Sequence, residues 1–257
     1  MSIIQGTAKG GSASFYDFPI EQSLRFDGSS YLSGLTTTNT AQKFTISTWL
    51  KFSAVGIEQQ IFQTRTTSNG SFTNNYRFFI SLVPTTDVLR IRNYDSSGSL
   101  NYSLDTTSVF RDTSAFYHFV FVFDTTASAN NRVKIYVNGN VLILNPATDN
   151  LTTPIRISSL YTYIGRTPGG TGYLNGYLAN IQFIDGQALD QYFFGEFKDN
   201  IWVPYNAFST AGSGTATASD GDTATDSYGT NGFHLDFADS SNIGNDVSGN
   251  NNDWTVN

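Results

Sequence analysis

The sequence predicts an all-β protein, an antiparallel β-sandwich of the jelly-roll kind, and three observations carry that reading. In 257 residues there are 23 glycines, aromatic residues make up 15% and charged residues only 14%, a composition that suits pleated strands and tight turns rather than helices or disorder. Runs of period-two alternation and short apolar stretches follow one another between clusters of Gly, Asn, Ser and Asp, as strands joined by turns require. One hairpin is announced directly by Asn138-Gly139, a pair that supplies the two positive-φ residues of a type I′ turn.

The elements follow in order. Residues 1–20 precede the first alternating run and read as an N-terminal arm or attachment segment, with Phe15, Tyr16, Phe18 and Ile20 available for docking. The sandwich is expected over residues 21–205. It opens with "SLRFDGSSYLSG", two short strands around Asp27-Gly28. "KFTISTWLKFS" then places Phe44, Ile46, Leu50 and Phe52 on one face and Thr45, Ser47, Trp49 and Lys51 on the other, because successive side chains of a strand point to opposite sides. "FYHFVFVFD" is apolar on both faces from Phe119 to Phe123, which marks a central strand covered on both sides. In "RVKIYVNGNVLIL", Val133, Ile135 and Val137 alternate with Lys134 and Tyr136 up to the Asn-Gly turn. "YTYIGR" and "GYLANIQFID" read as two further strands, and a short helical turn is expected at "ALDQYFFGEF". Residues 206–232, rich in Gly, Ser, Thr, Ala and Asp, are expected to form a flexible loop. "GFHLDFA" and "DWTVN" supply the last strands, within residues 233–257, completing or abutting the sandwich.

Charge narrows the partners. The net charge of −7 is uneven: no Lys or Arg follows Lys198, whereas eight aspartates do. Neither part offers a basic stripe, so nucleic acid is not an expected partner, since phosphate neutralisation by Lys and Arg supplies most of such binding. There is no cysteine, hence no disulfide framework and no thiolate chemistry. No signal peptide and no membrane insertion are expected, because the amino terminus lacks a basic start with an apolar run and nowhere do eighteen apolar residues follow one another.

Candidate chemistry is sparse. Glu21, Glu58 and Glu196 are far apart in sequence, and a retaining glycosidase needs two carboxyl groups about 5–5.5 Å apart. His118 and His234 sit on different strands without further ligands at metal spacing. No nucleophile elbow or phosphate loop is present. Calcium is the one cofactor considered. Asp246, Ser248, Asn250 and Asn252 alternate along "DVSGNNN" and offer oxygens suited to a hard cation. The same residues form turns by bonding their own backbone, and the turn is the preferred reading. "SDGDTATD" offers Asp220, Asp222 and Asp226 in the same way, and there solvated acids are the expectation. Three loops combine aromatic rings with polar groups, carrying Phe72 and Tyr76, Tyr94 and Tyr102, and Arg166 and Tyr173. Such loops suit carbohydrate, which presents apolar ring faces and hydroxyls together.

Four stretches in order, "SLRFDGSSYLS", "FTISTWLKF", "FYHFVFVFDTT" with "NRVKIYVNGN", and "YIGR" with "GYLNGYLANIQFIDGQALD", resemble the laminin G-like members of the concanavalin A-like lectin/glucanase superfamily. The likeness covers roughly residues 22–195, with Phe116 where that family usually has Trp. It implies the sandwich fold, and it implies that Trp49 is packed in the core, which a β-bulge at Thr48 would achieve. "MSIIQGTAKGG", "GYLANIQFIDGQALD" and "YGTNGFHLDFADSSNIGNDVSGNNNDWTVN" are further similar to large phage-encoded proteins of aquatic environments, generally taken to be tail-fibre or virion-surface proteins. That resemblance implies a non-enzymatic module on the virion that binds host surface glycan, made in the host cytoplasm and contacting other virion proteins. A purely structural capsid-decoration or fibre subunit is the alternative, and a glycoside hydrolase the remote one. Homo-oligomerisation is expected, because weak sites repeated on one particle gain avidity.

Overall fold

The alternation in two neighbouring strands decides where the core lies. Lys43–Phe52 pairs antiparallel with Tyr117–Asp124, with Phe44 opposite Phe123 and Ile46 opposite Phe121, so their even-numbered and odd-numbered apolar residues respectively fall on one side. In a computed structural model, which describes residues 18–34, 39–66, 76–159, 161–209 and 214–257, that side faces a second sheet. Phe44 stacks on Phe123 and Phe183 with centroids 4.5 and 5.4 Å apart. Each ring fully withdrawn from water in this way is worth about 1.5–3 kcal/mol.

The first sheet has seven strands. Its order is Leu24–Asp27, Asn175–Asp185, Lys43–Phe52, Tyr117–Asp124, Val133–Val137 and Asn140–Val141, with Phe233–Leu235 also paired to Asn175–Asp185. The second has eight, in the order Thr148–Asp149, Leu100–Val109, Val88–Tyr94, Phe78–Leu82, Gln59–Arg65, Tyr161–Ile164, Leu32–Ser33 and Thr255–Val256. The two strands read around Asp27-Gly28 therefore belong to different sheets. The two expected C-terminal strands are divided likewise, one completing each sheet. Between them Trp254 enters the core against Phe62 and Phe233.

The Asn-Gly hairpin forms as read, with φ of 47° at Asn138 and 78° at Gly139. Glycine is required there twice over, since a Cβ on Gly139 would stand 2.3 Å from the Trp202 ring. The expected helical turn is a 3₁₀ turn, Gln191–Phe193, capped by the Asp190 carboxylate accepting from Tyr192 N–H.

Two expectations are corrected. The bulge lies in the partner strand: the register passes from Ala179 opposite Trp49 to Gln182 opposite Ser47, and Asn180 takes φ of 47°. With no bulge at Thr48, Trp49 stays on the outer face, half-buried and stacked on His118 at 4.7 Å. The stretch 206–232 contains a hairpin, Thr215–Thr217 with Thr223–Thr225, and buries Phe208, Ala216, Ala218 and Tyr228. These side chains join Val120, Val122, Ile184 and Phe194 in a second core, which seals part of the outer face of the seven-stranded sheet. A sequence made mostly of small polar residues hides this, because two alanines and two rings suffice once a sheet face is there to receive them.

Candidate functional site

At the end of the eight-stranded sheet where Val88–Tyr94 stops and Leu100–Val109 starts, a cleft of about 610 Å³ opens, a size that suits a small ligand. Its lining is drawn from distant parts of the chain, among them Tyr76, Tyr94, Asp95, Asn101 and Arg156. Tyr76 and Tyr94 are brought together by backbone bonds, Tyr76 N–H donating to Asp95 O and Tyr94 N–H to Arg77 O, both at 2.8 Å. Tyr76 holds a left-handed φ of 49°, a conformation that a bulky residue keeps only where surrounding contacts impose it. The turn after Tyr94 is fixed by Asp95, whose Oδ1 accepts from Ser97 N–H, Ser97 Oγ–H and Ser99 N–H at 2.6–3.0 Å.

Arg156 comes from Ile155–Ser158, where fully buried Ile155 and Ile157 on either side anchor the strand in the core. Thr64 Oγ1–H donates to its carbonyl at 2.8 Å. Its guanidinium lies 4.0 Å over the Tyr76 ring. The floor carries Asn93 and Asn101, joined by Asn93 Nδ2–H donating to Asn101 Oδ1 at 2.7 Å. Sequence reading found Tyr76 and Tyr94 but not Arg156, Asn93 or Asn101, because nothing local says that these positions share a cleft.

The other expected glycan-binding residues do not join them. Tyr102 is 2% exposed and belongs to the core, since its strand position opposite Asn93 and Asp149 faces inward. Burial pushes its hydroxyl pKa up. Arg166 and Tyr173 lie at the opposite end of the sheet, where Gln60 N–H donates to Gly172 O. There the Arg166 guanidinium stands 3.7 Å over Tyr31 and 4.6 Å over Tyr163, enclosed by rings. Phe72 lies outside the described residues.

A family model described as the concanavalin A-like lectin/glucanases superfamily, of laminin G type, matches residues 26–191. The chain belongs to that superfamily. No curated protein matches it in sequence. Among solved structures, this superfamily member is similar to the carbohydrate-binding module CBM40 of the Ruminococcus gnavus IT-sialidase bound to α2,3-sialyllactose, at 13% identity and a TM-score of 0.50 over 66% of this chain and 92% of that one. It is similar to a mutant NanB sialidase of Streptococcus pneumoniae at 17% identity and TM-score 0.50, covering 75% of this chain but only 30% of the sialidase. A SAP-like pentraxin of Limulus polyphemus gives 19% identity and TM-score 0.46 over 65% of this chain and 77% of the pentraxin. At these identities the likeness is one of fold.

The stretch considered for calcium in this superfamily member is a turn. Asp246 is 6% exposed. Its Oδ1 accepts from His234 N–H and Ser248 N–H, and its Oδ2 from Ser248 Oγ–H and Asn252 N–H, at 2.8–2.9 Å. Asn250 and Asn252 spend their amide N–H groups on the carbonyls of Gly229, Thr230 and Gly232. Four donors fill the carboxylate, so these residues do not converge on a cation; they pin the C-terminal segment to the strand at His234. Asp226 likewise turns inward and accepts from Ser209. Asp220 and Asp222 instead approach Asp190, the three carboxylates placing oxygens within 4.8 Å of one another. Burial, followed by the two neighbouring acids, raises the Asp190 pKa.

His118 and His234 are packing residues. Trp202 Nε1–H donates to His118 Nδ1 at 2.8 Å, and Ser47 Oγ lies 2.9 Å from Nε2. His234 sits between Tyr228 and Asn180 at 3.2 and 2.5 Å, beside a cavity of about 630 Å³ partly walled by residues 18–22. Burial pushes His118 down to about 3 and His234 to about 4. The three glutamates remain apart: Glu58 accepts from Gln60, and Glu196 pairs with Lys198 at 3.2 Å. No helix among the described residues is long and apolar enough to cross a membrane.

Proposed function

We propose that the chain is a non-catalytic glycan-binding module of a phage virion surface, with the sugar seated in the cleft of Tyr76, Tyr94 and Arg156. The observation that carries this reading is the cleft itself: two half-buried tyrosine rings beside unspent hydrogen-bonding groups, held on a fixed turn. Ring faces take the apolar face of a pyranose, and polar groups at fixed positions take its hydroxyls. The superfamily includes lectins by its description, and one similar structure is a carbohydrate-binding module with sialyllactose bound. The virion setting rests on the resemblance of the opening, "GYLANIQFIDGQALD" and the ending to phage surface proteins. Contact with other virion proteins or further copies is supported by the edge beyond Asn140–Val141, where Val141 is 59% and Ile143 92% exposed, an apolar pair suited to a partner.

The test is a glycan array probed with the chain and with Tyr94→Ala. The expected result is binding to a defined set of glycans that falls at least about tenfold, or about 1.4 kcal/mol, in the variant, with thermal stability retained. Unchanged binding by Tyr94→Ala would remove the cleft from the proposal, and an array without signal would favour the assembly role alone.

A further inference from the structure

We infer that the ligand of the Tyr76–Tyr94 cleft is an anionic sugar, one whose carboxylate or sulfate group meets Arg156; this rests on the glycan reading above. Of the eight other arginines, four are matched by acids within ion-pair distance: Arg90 and Arg92 by Asp105, Arg111 by Asp87, and Arg132 by Asp149, at 2.6–2.9 Å. Arg156 has no such partner among the described residues. Its guanidinium rests on Tyr76, and its Nε is buried without a hydrogen-bond acceptor. A half-buried cation pays for lost hydration unless something compensates it. The Tyr76 ring supplies part of that through its negative face and also fixes the plane of the guanidinium, leaving the fork to be completed by an oxyanion.

A second donor stands at the floor. Asn101 is 9% exposed, lines the cleft, and has its Oδ1 committed to Asn93, while its Nδ2 makes no hydrogen bond to the described residues and is available to donate to a ligand. The acid lining the same cleft, Asp95, spends Oδ1 on Ser97 and Ser99 and makes no ion pair with Arg156. It holds the turn and stands beyond ion-pair distance of the arginine. An arginine fork and a carboxamide donor beside two aromatic faces suit a charged pyranose: the oxyanion engages the fork in a bidentate manner, and the ring of the same or the next sugar lies against tyrosine. A carboxylate and a sulfate ester share this chemistry, and the probes separate them.

The experiment is calorimetric titration of the full chain with oligogalacturonate and its carboxyl-reduced counterpart, and with a sulfated galactan oligosaccharide and its desulfated form. The acidic member of at least one pair is expected to bind about tenfold or more tightly, equivalent to about 1.4 kcal/mol, with affinity declining as salt is raised. Whichever pair shows the preference identifies the anion. Arg156→Gln should erase the preference, Arg156→Lys should keep part of it, and both should melt with the parent protein. Equal affinity within both pairs, or a preference that persists in Arg156→Gln, overturns the inference. If neutral probes bind equally well and that binding vanishes in Tyr94→Ala, the charge inference falls and the glycan reading stands. If none of the four binds, both fall.

Discussion

The two sheets of this sandwich use aromatic side chains in opposite ways. On the outer face of the seven-stranded sheet His118 stacks on Trp49 at 4.7 Å and accepts the Trp202 Nε1–H at its Nδ1, and a second core that includes Leu189, Phe194, Phe208 and Tyr228 closes part of that face. At the end of the eight-stranded sheet, Tyr76 and Tyr94 line an open cleft, and the arginine resting on Tyr76 makes no ion pair among the described residues. Even adjacent strands differ: Tyr94 lies half-buried at the cleft while Tyr102 is in the core. What an aromatic ring does here depends on what covers it, not on its loop.

The contrast between the two neighbouring tyrosines is the one a mutation would break most visibly. Tyr102→Ala is expected to cost about 3–5 kcal/mol, the range for removing a large buried ring, read as a loss in chemical denaturation; a change below 1 kcal/mol would contradict its place in the core. Tyr94→Ala should stay within about 0.5 kcal/mol, as surface substitutions usually do.

Acid sharpens the description of the sealed face. His118 and His234 are held neutral, with pKa values pushed down to about 3 and about 4 by burial, below the ordinary value of about 6.5. The unfolded chain therefore takes up protons that the fold refuses. Stability is full above about pH 6.5 and falls as pH drops toward 4 and then 3, by at most about 1.4 kcal/mol per pH unit for each histidine. Thermal melts between pH 7.5 and pH 4.5 should show the midpoint declining on acidification, and a flat or rising midpoint would mean that these rings are not buried neutral.

A further substitution separates the two arginine–tyrosine stacks. Arg166 is enclosed by Tyr31 and Tyr163, so Arg166→Ala should lower stability by about 1–2 kcal/mol through lost ring contacts without altering glycan affinity. Equal effects of Arg166→Ala and Arg156→Ala on binding would abolish the distinction drawn between the two ends of the sheet.

Which residues of each long strand share a face and where the Asn138-Gly139 hairpin turns could be read from the sequence alone, because period-two alternation and positive-φ preferences are local. The sequence also carried the superfamily, through motifs in a recognisable order. Long-range packing was needed to place the bulge at Asn180 rather than Thr48, to show Ala216 and Ala218 sealing a sheet face from within a glycine- and threonine-rich stretch, and to show Asp246 anchoring the strand at His234. The same packing brings Tyr76, Asn101 and Arg156 together at one cleft. A strand pattern states which way a side chain points, whereas burial, partner and shared cleft depend on a surface contributed by residues tens of positions away.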